Sequence, residues 1–240
     1  MSGFQGAYHG KQNNSLSTGY YIDCVFCIDG TASMEDITGR QEKIINQVKQ
    51  NANHFYDDLK ASMECKYQKL VQLRIRLILF RDYLADGIHA MEGTDFFELP
   101  QQIEQFVTCV NSIHAGGGGD IPEDGLEALA YAMKSPWTTH GAKKRQVIVV
   151  WTDAGTHELG YGKKSPHYPK GMPANLAELE DWWDEMDDYA KLLIIYAPDT
   201  NHWNYISENW ENVYHVPSAA GDGMFEHDYS VILDLITNTI

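Results

Sequence analysis

The stretch "VIVVWTD", residues 147–153, is an unbroken apolar run that ends on a carboxylate. A strand with one wet face alternates apolar and polar side chains, whereas a strand covered on both faces does not. So short a run, rich in β-branched residues, predicts an interior strand of a parallel sheet. Comparable runs lie at 20–28 ("YYIDCVFCI"), 71–80, 192–197 ("LIIYA" with its leading Leu192) and 213–216, and a more polar stretch around 87–99 predicts an antiparallel edge strand. Between them the pattern changes period. In "DITGRQEKIINQVKQNANHFYDDLKA", Ile37, Ile44, Ile45, Val48, Phe55, Tyr56 and Leu59 recur at steps of three and four, one stripe of a helix. Further helices are expected over 101–113, 122–133, 176–189 and 229–236. Strands alternating with helices imply a doubly wound α/β fold, a mostly parallel central sheet flanked by helices on both faces. One such domain is expected over 19–240, after a Gly/Ser/Asn/Gln-rich tail at 1–18 that reads as flexible.

In a sheet of this kind, ligands bind beyond the carboxyl ends of the strands. Asp29 ends the first strand, in "CIDGTASM", where Thr31 and Ser33 alternate with small residues. Asp82 follows the second strand in "LILFRDY", and Asp153 ends the central run. Asp120 closes "AGGGGD", whose glycines allow it to approach the same crevice. Each has an ordinary structural role available. Asp120, Pro122 and Glu123 resemble a helix start with a capping box, Ser33 could cap the next helix, and Asp29–Gly30 is a common turn pair. Together they are harder to dismiss, because three carboxylates in one crevice repel one another and raise their own pKa values unless a cation neutralises them. Carboxylates mixed with hydroxyls suit Mg²⁺, with Ca²⁺ or Mn²⁺ as alternatives. The glycine run lacks the Gly-Lys-Ser/Thr of a phosphate loop and ends in acids, so nucleotide binding is not expected.

Those residues resemble a known family. "DGTASM" is similar to the D-x-S/T-x-S signature of the von Willebrand factor A domain and its metal ion-dependent adhesion site (MIDAS). "GGGGDIPEDGLEAL" and "VVWTDAGTHE" resemble the family's second and third motifs, in the family's order, and the combination is similar to intracellular branches found with alpha-type protein kinases. The resemblance implies that Thr31 and Ser33 ligate the metal directly and that Asp29 acts through water. It also implies that Asp120 takes the third-loop position and that Asp153 acts indirectly or through water. Asp120 stands where integrin-like members have threonine. An added carboxylate would hold the metal more tightly and leave it less electrophilic, which argues against recognition by a partner's acidic residue.

The balance of charge, −16 from 18 basic and 34 acidic residues, opposes nucleic-acid binding and favours cations or a basic partner. No run approaches a membrane span, and the first residues lack the features of a secretory signal. Cys24 and Cys27 form a C-x-x-C but sit inside a strand, where they read as core thiols of a reducing, cytoplasmic protein. The acidic run 178–189 reads as an amphipathic helix, with docking of a basic partner as the alternative, and His157 as a solvated loop residue rimming the crevice. Without a nucleophile and base at working spacing, the expected function is a noncatalytic, metal-dependent protein-binding or scaffold module. The resemblance implies a partner such as an ATPase, kinase or phosphatase. A metal-dependent hydrolase acting on a phosphoester is the alternative.

Overall fold

The computed structural model describes residues 19–35, 44–119, 121–217 and 230–238; the 1–18 tail, Ile37, Asp120 and Tyr229 lie outside them. Five strands form the parallel body of the sheet: β1 (Tyr20–Asp29), β2 (Leu70–Phe80), β5 (Lys143–Trp151), β6 (Lys191–Ala197) and β7 (Val213–Pro217). Two short strands, β3 (Met91–Gly93) and β4 (Phe97–Leu99), pair antiparallel with different parts of β2. The order is β3-β2-β1-β5-β6-β7, with β4 beside β2. The edge strand expected over 87–99 is thus divided. Thr94 occupies the gap, its backbone N–H donating to Leu77 O and its hydroxyl accepting from Leu77 N–H.

The unbroken apolar pattern of β1 has a direct cause, since both of its faces are covered. Ile22, Cys24, Phe26 and Ile28 pack with residues of α1 (Ile44–Cys65), α3 (Ile103–Ser112) and α7 (Ser230–Asn238). Val25 and Cys27 pack on the other side with α4 (Gly125–Met133), α5 (Leu176–Asp184) and α6 (Asn201–Asn209). Cys24 and Cys27, an odd number of positions apart, therefore project from opposite faces and are free thiols in separate halves of the core. Phe26 sits at the centre, edge-on to Phe55 at 5.1 Å and Trp151 at 5.0 Å. A buried side chain of that size contributes about 1.5–3 kcal/mol by leaving water.

Two helices differ from the expected spans for local reasons. The helix expected to start at Pro122 starts at Gly125. Glu123 forms a parallel bridge with Thr156 and precedes the N-cap residue Asp124, so its capping-box role is corrected; the Ile121–Pro122 peptide is cis. The helix expected over 176–189 stops at Asp184. Lys191, buried to 3% exposure, donates to Trp183 O at 3.1 Å and meets Asp188 Oδ1 at 2.6 Å, which ties off the last turn. Tyr189, the last residue of the expected helix, lies beyond its observed end and is exposed. A short α2 (Tyr83–Asp86), capped by Asp82 through Leu84 and Ala85 N–H, closes the end of β2. No helix of the described residues is long and apolar enough to cross a membrane.

Candidate metal centre

At the carboxyl end of the sheet, β1 runs into a tight loop. Asp29, fully buried, accepts from its own loop: Thr31 N–H at 2.9 Å and Thr31 Oγ1 at 2.6 Å, both at Oδ1. Its other oxygen accepts from Thr152 Oγ1 at 2.6 Å, one residue beyond β5. Thr31 Oγ1 lies 2.9 Å from Ser33 Oγ, and Ser33 Oγ donates to Asp153 Oδ1 at 2.9 Å. Four of the residues singled out in the sequence, Asp29, Thr31, Ser33 and Asp153, are therefore linked in one chain of oxygens, the last link joining residues 120 positions apart. Asp120 falls outside the described residues. Among the described residues no three Asp, Glu, His or Cys side chains form a metal cluster by themselves. The oxygens that meet are two carboxylates and three hydroxyls.

The hydrogen atoms in that chain do not suffice. Three short contacts join Asp29, Thr31, Ser33 and Asp153, whereas the two hydroxyls supply one proton each. With both acids ionised, one contact sets lone pairs against lone pairs. Either a further proton, on a carboxyl, or a cation among the oxygens resolves this. Electrostatics point the same way. Burial, then the charge of Asp153, pushes the Asp29 carboxyl up to about 6 against the opposing hydrogen bonds from Thr152 and Thr31. Burial also raises Asp153, with the Ser33 hydrogen bond opposing.

Neighbouring residues build the frame. Ala32 N–H donates to Gly117 O at 3.2 Å and Gly116 N–H to Gly30 O at 2.9 Å, so the glycine run lies alongside the first loop. Arg81 clamps both: its Nε donates to Gly30 O at 2.9 Å and Gly116 O at 2.8 Å, while Nη1 reaches His89 O at 2.9 Å. Glu123 is 3% exposed, and its Oε2 accepts no hydrogen bond. Burial, followed by the charges of Asp29, Asp82, Asp86 and Asp124, pushes its carboxyl up to about 9. His157 is not solvated, as expected from its loop position, but buried at 6% exposure. Its Nε2 lies 3.5 Å from Asp82 Oδ2, and its ring stacks on Tyr161 at 3.8 Å. Thr152 and Arg81 escaped the sequence reading, whereas Glu123, read there as part of a helix start, is buried beside the site. Thr152 sits in plain view in "WTD", but only the fold sets it against Asp29.

No family model matches the chain. A curated relative, "Alpha-protein kinase vwkA" of Dictyostelium discoideum, is 25% identical over 160 residues, which is 67% of this chain. The chain spans only 22% of the length of that kinase. Among solved structures, the pilus adhesin SpaC from Lactobacillus rhamnosus GG superposes with a TM-score of 0.56 at 14% identity, covering 91% of this chain and 31% of that one. The PilB minor pilin from Streptococcus sanguinis gives 0.57 at 12% identity, covering 90% of this chain and 61% of that one. At such identities the likeness extends to the α/β fold and no further.

Proposed function

We propose that the protein is a noncatalytic protein-binding module, a doubly wound von Willebrand factor A domain that captures its partner through a divalent ion in a MIDAS-type site. The observation that carries this is the proton deficit along Asp29, Thr31, Ser33 and Asp153. At neutral pH a hard cation among these oxygens supplies the missing positive charge, as a proton on Asp29 does below pH 6. Thr31, Ser33, Asp29 and Asp153, with Asp120 from the glycine loop, would hold the ion. Mg²⁺ fits this all-oxygen set, and Ca²⁺ or Mn²⁺ share its ligand preference. When bound, the ion offers a coordination position to an oxygen of the partner. The partner is a protein of the class of ATPases, kinases or phosphatases, a choice supported by the relative being an alpha-protein kinase. Free buried thiols at Cys24 and Cys27 suit a reducing, cytoplasmic setting.

Titration with Mg²⁺ by calorimetry tests this. Ser33→Ala and Asp29→Ala are expected to abolish Mg²⁺ binding and partner capture while far-UV circular dichroism stays that of the wild type. Partner capture that persists in excess chelator would sink the proposal. Turnover of phosphate esters that disappears in Asp153→Asn would replace it with a hydrolase.

A further inference from the structure

The opposite pole of the sheet carries a charge of the other sign. Lys143, Lys144 and Arg145 form the one run of three consecutive cations in a chain of net charge −16. They open β5, beside Tyr20 at the start of β1. With Tyr20, Asp187 and the 91% exposed Tyr189 they line a groove of about 260 Å³. β5 spans nine residues, so this groove lies roughly 30 Å from the metal centre.

The three cations are only partly engaged. Lys143 Nζ rests on the Tyr20 ring at 4.6 Å and donates to its hydroxyl at 3.0 Å, an uncharged partner. Lys144 meets Asp187 Oδ2 at 3.4 Å. Arg145 Nη1 donates to Tyr189 O, while its Nε, buried from water, has no acceptor. A buried guanidinium N–H without an acceptor is costly, and the guanidinium fork is shaped to engage two oxygens at once.

We propose that this groove binds a phosphate monoester. Three cations face one carboxylate, a surplus that a dianion neutralises and a single carboxylate does not. A long polyanion such as nucleic acid would meet the acidic remainder of the surface, whereas one compact phosphate does not. The phosphate belongs either to a phosphorylated residue of a protein or to a free small molecule, and the chemistry at the groove is the same. The proposal is independent of the metal site.

Calorimetric titrations of the full chain in chelator, at low salt, test it. The probes are inorganic phosphate, phenyl phosphate and a phosphotyrosine peptide beside its unphosphorylated twin. Saturable, phosphate-dependent binding is expected, weakened at least tenfold in Lys143→Gln/Lys144→Gln and unchanged in Ser33→Ala. Lys143 is exposed and Lys144 half-buried, and glutamine keeps part of each stem, so the fold tolerates the change. Binding of the phosphopeptide alone points to a phosphorylated protein, and equal binding of inorganic phosphate points to a free ligand; either supports the groove. No saturable binding of any probe, equal binding of the unphosphorylated peptide, or equal binding to the double variant overturns it.

Discussion

Asp29 is one of the side chains that set how the molecule responds to pH, beside Glu123, whose carboxyl is pushed up to about 9. A carboxyl titrating near 3.8 in the unfolded chain and at about 6 when folded holds its proton more tightly in the native state. With respect to this group, the metal-free protein is most stable below about pH 4 and loses stability as the pH rises through 6. The loss is on the order of 2–3 kcal/mol. Urea unfolding in chelator at pH 5 and pH 7.5 should show about half of that loss as the Asp29 share of the drop in the wild type, and a drop smaller by that share in Asp29→Asn, which has no proton to lose. Saturating Mg²⁺ should abolish it in the wild type by substituting for the proton. An equal drop in wild type and variant would mean that other groups dominate.

At the scale of elements, the glycine run and Arg81 hold the site together. Gly117 has φ +77°, and a Cβ there would stand 2.0 Å from Asp86 Oδ1. Gly117→Ala should therefore cost about 1–2 kcal/mol through the left-handed backbone alone, and push Asp86 aside. Gly118, at φ +83°, passes so close to Thr31 that a Cβ would come within 3.1 Å of that residue's Cβ. Arg81 joins the loop after β1, the glycine run and the β3 region through backbone carbonyls, a task for a planar fork that an ammonium cannot repeat. Arg81→Lys is expected to lower Mg²⁺ affinity roughly 10–100-fold, as loss of supporting contacts around a metal site does, with little change in melting temperature. Unchanged affinity would assign Arg81 to stability alone.

Over the whole molecule, the two halves of the core share one sheet, and Phe26 stands at the middle of it between Phe55 and Trp151. Phe26→Ala should destabilise by about 3–5 kcal/mol. Because β1 is common to both halves, tryptophan fluorescence and circular dichroism should lose their signals at one urea midpoint. Separate midpoints would mean that the two layers unfold independently. Interior strands were legible in the sequence because burial on both faces leaves continuous apolar runs, as in "VIVVW" and "LLIIYA". Helix ends were not, because the bridge of Glu123 to Thr156 and the side chain of Lys191 set them. The sequence by itself determined that carboxylates and small hydroxyls follow the central strands, since a residue's distance from the end of an apolar run is local information. Only the tertiary structure decided that Thr152 would face Asp29, that Glu123 would be buried beside the site, and that His157 would leave solvent for Asp82. Those pairings join residues far apart in the chain, and strand order and register, which no local pattern encodes, bring them together.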